Sequence, residues 1–260
     1  MDFHVPKTFQ ADKRIFINGA SSGLGAALAR HVAGPGVRLT LSARNQARLQ
    51  AVAEACAGRG AVVNVIISDL SDPDLGGPHE YDLAILAAGV GDMQPEGAVG
   101  EGPATIFNVG LVNFTAACAL AGGIANAMAV RGGGQIVLIG SVAAFAPLPY
   151  AAAYVGSKAG LLQFGRALRL NMAKHKVGVT IVSAGFIDTP MSQRLECPKP
   201  LMLSAAAAAA AIVRAAAANK GHVVLPWPWQ ALRLAGFLPL PILSFIFDRL
   251  GVGQQPLLKT

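Results

Sequence analysis

The stretch RIFINGASSGLGAALARHVA, residues 14–33, joins two kinds of pattern. RIFIN is a short apolar run of the kind that forms a strand buried on both faces, and GLGAALARHVA, residues 23–33, reads as a helix. Between them Gly19, Gly23 and Gly25 allow a tight turn. A strand that turns through glycines into a helix brings free N–H groups and the positive end of the helix dipole to one spot, which suits a pyrophosphate. The candidate contacts are Gly19, Ser21, Ser22, Gly23, Leu24 and Gly25. The spacing is GxxxGxG, which departs from the ordinary GxGxxG fingerprint, and a glycine turn needed only for helix–sheet packing is the alternative.

Working outward, short apolar runs alternate with helical ones. VRLTLSA (37–43), AVVNVIIS (61–68), YDLAILAAG (81–89), GQIVLIGS (134–141), VGVTIVS (177–183) and HVVLP (222–226) read as further strands. Helices are expected over 45–57, about 104–130, about 152–174 and through the alanine-rich run 204–219. This alternation predicts an α/β fold: a doubly wound, seven-stranded parallel sheet of Rossmann type with helices on both faces. Such a sheet binds ligands beyond the carboxyl ends of its strands.

At the end of the second strand, Ala43 is followed by Arg44, where sites that prefer NAD place an acidic residue. An arginine there can pair with a 2′-phosphate, so NADP(H) is the cofactor expected; a plain surface arginine is the alternative. Asp69 and Leu70 follow the third strand, with Asp69 placed to accept from the adenine amino group or to serve as an ordinary turn residue. Tyr154 and Lys158 stand four residues apart on one helix face, after Ser141 at the end of the fifth strand. A neighbouring ammonium favours phenolate and would lower the tyrosine pKa toward working pH, while the serine hydroxyl holds a substrate oxygen.

Taken together, these motifs resemble the classical short-chain dehydrogenase/reductase family from about Arg14 to Pro226, in the family's order. NGASSGLG is similar to the family's TGxxxGxG loop, with Asn18 in place of threonine, and LAAG (86–89) stands where the family has NNAG. The resemblance implies that Ser141, Tyr154 and Lys158 are catalytic and that Lys158 also binds the nicotinamide ribose. It further implies that Ala88 and Gly89 border the cofactor. SAGFIDTPM (183–191) resembles the PGxxxT segment, which implies that Gly185, Ile187 and Thr189 hold the nicotinamide carboxamide. The family's relay asparagine on the fourth helix is expected at Asn108, given a local helix distortion; ungapped alignment puts Phe107 there instead, and Asn113 is read as a structural partner. A homodimer or homotetramer built around the fourth and fifth helices is implied.

With 260 residues, 53% hydrophobic, one domain over 1–260 is expected, with an N-terminal extension (about 1–13) and an apolar tail (about 226–260). The net charge of +7 is spread along the chain, with no basic recognition helix, so a phosphate-bearing small ligand accounts for it and nucleic acid is not expected. The three cysteines and five histidines show no metal spacing; no metal site and a reducing, cytoplasmic setting are expected. The expected activity is hydride transfer between NADP(H) and a carbonyl or secondary alcohol on an apolar small molecule. The alternative is a cofactor-binding regulatory or scaffold protein with the same fold. The tail's uncharged stretch, Leu234 to Phe247, is too short to span a bilayer; it is expected to cover the substrate cleft or a neighbouring subunit, or to make peripheral membrane contact with Arg233 and Arg249 near the headgroups.

Overall fold

The computed structural model describes residues 13–70, 80–91, 99–196, 198–250 and 257–258. Each apolar run forms a strand: β1 (Lys13–Asn18), β2 (Val37–Ala43), β3 (Val62–Ile67), β4 (Leu83–Leu86), β5 (Gly134–Ser141), β6 (Val177–Ala184) and β7 (His222–Leu225). They make one seven-stranded sheet in the order β3-β2-β1-β4-β5-β6-β7, parallel throughout. The order reverses between β1 and β4, which opens a crevice at their carboxyl ends.

The helices are α1 (Gly23–Val32), α2 (Gln46–Ala57), α3 (Pro103–Gly110), α4 (Ala117–Val130), α5 (Ala152–Met172), α6 (Pro190–Gln193), α7 (Ala205–Ala217), α8 (Leu232–Ala235) and α9 (Leu240–Leu250). Alternation along β1 shows why both sheet faces need covering: Ile15 and Ile17 pack with α1, α2 and α7, while Phe16 between them packs with α4 and α5. The polyalanine run packs α7 closely on α1, with Ala208, Ala209 and Ile212 fully buried. Burial is uneven across the sheet. All eight residues of β6 are buried, whereas none of the six in β3 is, and Val62 and Ile67 are exposed.

Three features add to the sequence reading. The fourth helix is continuous from Pro103 to Val130 but changes to π geometry over Leu111–Ala116. By length and hydropathy this stretch could cross a membrane, yet Val109, Leu120, Ile124 and Met128 are buried, which makes it a core helix. The tail folds into a 3-10 turn, Trp227–Ala231, followed by α8 and α9. Finally, β1 already begins at Lys13, and the rest of the N-terminal extension, 1–12, lies outside the described residues, as do Cys197 and most of the last ten.

Candidate active site

The glycine turn packs so closely on neighbouring backbone that no side chain would fit there. Gly19 has φ +69°, and a Cβ on it would lie 2.6 Å from the Ala88 backbone; one on Gly25 would lie 2.2 Å from the Gly19 carbonyl oxygen. At the start of α1 the Ser22 side chain makes no capping bond, and the first turn holds no acidic residue. The helix N–H groups and dipole therefore remain available to an anion, so the residues present fit a dinucleotide pyrophosphate. Asn18, 2% exposed, ties this turn to the next strand: its Oδ1 accepts from the N–H groups of Ala87 (2.8 Å) and Ala88 (3.1 Å). The amide thus fixes LAAG, which lacks asparagines of its own.

Ser141 ends β5, is 9% exposed, and caps the following 3-10 turn, Val142–Phe145, by accepting from the Ala143 N–H (3.1 Å). Its side chain also hydrogen-bonds the Tyr154 hydroxyl. Lys158, one turn along α5, is 5% exposed; its Nζ donates to the Ile139 carbonyl (3.3 Å) and lies 5.7 Å from the centre of the Tyr154 ring. Serine, phenol and ammonium are therefore brought together as the sequence implied. The electrostatics differ from expectation. Burial pushes the Tyr154 phenol up, with the Ser141 hydrogen bond opposing, and burial pushes the Lys158 ammonium down to about 8. Desolvation outweighs the attraction expected between the pair, so the tyrosine is held as the neutral acid.

The distortion expected in the fourth helix exists, but it carries Asn113 and not Asn108. Asn113 is 1% exposed in the middle of the π segment. Its Oδ1 accepts from the Val90 N–H (2.8 Å), and its Nδ2 donates to the Val90 carbonyl (2.9 Å) and to Ser157 Oγ (3.4 Å). A Cβ on Gly89 would sit 3.1 Å from Asn113 Oδ1 and 3.4 Å from Lys158 Nζ, so the asparagine and the lysine flank one point. Asn108 is half-buried well over one helical turn away, and Phe107 is 72% exposed. The sequence reading set the relay at Asn108, whereas the residue that the structure brings beside Lys158 is Asn113. A usable signal was present in the sequence. Asn113 falls on the apolar stripe Val109, Val112, Ala116, Leu120, where a polar side chain needs a partner, and Asn108 lies off it.

The remaining candidates line the same edge of the sheet. Arg44 is exposed immediately after β2, and Asp69 and Leu70 follow β3. Thr189 lies against the glycine turn, with its Cβ 3.2 Å from where a Gly23 Cβ would be, but its hydroxyl is used locally: it donates to the Ile187 carbonyl and caps α6. Gly185 follows Ala184, the register partner of Ser141. Trp229 from the tail packs over Gly185 and meets Phe186 edge-on at 6.2 Å. No sequence signal pointed to that tryptophan. Among the described residues there is no cluster of metal-ligating side chains.

Comparisons with known proteins show the family and the fold. Residues 13–75 and 79–199 match the family model described as short chain dehydrogenase. An uncharacterized oxidoreductase of Mycobacterium tuberculosis is 34% identical over 247 residues, covering 87% of this chain and 94% of the relative. Among solved structures, a short-chain type dehydrogenase/reductase from Mycobacterium marinum superposes with a TM-score of 0.73 at 25% identity, covering 85% of this chain and 96% of the other. The L-sorbose reductase of Gluconobacter frateurii, solved in complex with NADPH and L-sorbose, gives 0.72 at 24% identity over 86% of this chain and 96% of that one, and at that distance shows the fold alone.

Proposed function

The chain belongs to the short-chain dehydrogenase family of NAD(P)-binding oxidoreductases, and from that premise we propose that it interconverts a carbonyl and a secondary alcohol on an apolar small molecule with NADP(H). The observation that carries this reading is the contact of Ser141, Tyr154 and Lys158 at the crevice. When bound, NADPH would supply the hydride that goes to the carbonyl carbon. The protein handles the oxygen. Ser141 and Tyr154 hold the carbonyl oxygen by hydrogen bonds, and the neutral Tyr154 phenol gives its proton to the oxygen as charge builds there. The Lys158 ammonium steadies the resulting phenolate. Asn113, beside Lys158, takes the relay place on the fourth helix. The glycine turn and the α1 N-terminus would hold the pyrophosphate, and the exposed Arg44 supports a 2′-phosphate over an unsubstituted ribose.

The test is NADPH oxidation against ketones and aldehydes of increasing apolarity. Turnover is expected with the apolar members, and Tyr154→Phe is expected to lower kcat by roughly 10²–10⁴ while NADPH binding persists. Arg44→Ala should raise the KM for NADPH about tenfold or more and leave that for NADH unchanged. Tight NADPH binding with no turnover across the panel would favour a cofactor-binding scaffold instead.

A further inference from the structure

We propose that the segment from α8 through α9 is a docking surface for an anionic lipid bilayer, and that it sets the mouth of the crevice against the lipid face. The segment is anchored on the catalytic side. A Cβ on Gly236 would lie 2.6 Å from the Phe145 carbonyl oxygen, in the turn that directly follows Ser141. Arg233 points inward: its guanidinium lies 5.0 Å from the Phe145 ring centre and its NH2 contacts His222 Nδ1 at 2.9 Å. Beyond this anchor the chain turns its apolar side chains outward. Leu234 is 70% exposed, Phe237 85%, Leu240 70% and Phe245 61%, while Leu243 is 3% exposed and holds α9 in place. No charged residue occurs from Leu234 to Phe247. A monomeric soluble surface rarely presents so many large apolar side chains together.

Two observations select a lipid surface as the occupant. The exposed apolar residues run through the turn between two helices and not along one helical stripe, which suits a fluid interface better than a helix-binding groove. A cation also sits where headgroups would be. Arg249 is exposed at the end of the patch, with its guanidinium 5.2 Å from the Phe245 ring centre. An anionic surface complements this arginine, as it does the net charge of +7. Delivery of an apolar substrate from the lipid rests on the function proposed above; the docking itself does not.

Co-sedimentation of the full chain with vesicles of phosphatidylcholine, with and without phosphatidylglycerol, tests the proposal. The protein is expected to pellet with the phosphatidylglycerol vesicles and to be released by high salt. The double substitution Phe237→Ser, Leu240→Ser should weaken binding by about tenfold or more, because two large apolar side chains lose their burial. Both positions are exposed, so circular dichroism and turnover of a water-soluble ketone should match those of the unaltered protein. A chain that stays in the supernatant, that pellets equally with neutral vesicles, or whose double variant pellets undiminished overturns the proposal. So does light scattering in which the double variant loses a self-associated mass, since the patch would then bind a second copy. Vesicle binding without turnover on any ketone leaves docking intact and defeats only the enzymatic reading.

Discussion

At the scale of single residues, Asn18 and Lys158 carry opposite kinds of constraint. Asn18 is a buried amide whose oxygen accepts from two backbone N–H groups of LAAG and so supplies bracing that LAAG does not provide for itself. Lys158 is a buried cation whose acceptor among the described residues is the Ile139 carbonyl. Its folded pKa, about 8, lies below the ordinary lysine value of 10.5, so the folded state resists its charge. The stability penalty is complete below about pH 8 and fades as the pH rises toward 10.5, where the unfolded chain also becomes neutral. Lys158→Met should therefore raise stability in urea by about 1–3 kcal/mol at pH 7 while abolishing turnover. Unfolding curves at several pH values should show that gain shrinking above pH 8. The shift was not legible in the sequence because it depends on how much water the fold removes, and spacing on a helix says nothing of that.

Among elements, the fourth helix is the one where sequence and structure part: the relay was expected at Asn108, and Asn113 is the residue beside Lys158. Four-residue counting assumes a uniform α-helix, and the π segment Leu111–Ala116 widens the turn at the point where the count matters. Its apolar stripe was readable all the same and leads to Asn113. Asn113→Ala should lower kcat by roughly 10²-fold or more if it passes protons to Lys158, and should change the pH profile of turnover. It should also destabilise the fold by about 1–3 kcal/mol, because the Val90 groups lose their partners. Asn108→Ala should leave kcat and its pH profile close to those of the unaltered protein. Steady-state kinetics of the pair, with Asn113→Asp as the conservative comparison, decide the assignment. The tail was harder to read: Pro239 and Pro241 interrupt any period, and the contacts of Gly236, Arg233 and Trp229 reveal what it rests on.

For the whole molecule, the sheet was legible because a parallel strand buried on both faces must be a nearly continuous apolar run, and the residues at the strand ends then follow from topology. Arg44, Asp69, Ser141 and Thr189 all lie along that single edge. What the pattern did not disclose is the unevenness of burial, since β3 reads as apolar as β6 yet has no fully buried residue. Amide hydrogen exchange should therefore be fastest among the strands at β3 and slowest at β5 and β6, and NADPH should slow it most at β2 and β3. Equal protection across the sheet would contradict this. If it holds, the crevice has a soft margin and a hard centre: the half that would receive the adenosine breathes, while the half that performs the chemistry stays rigid. Such a protein could admit and release a bulky nucleotide by fraying one border, without disturbing the alignment of its reacting groups.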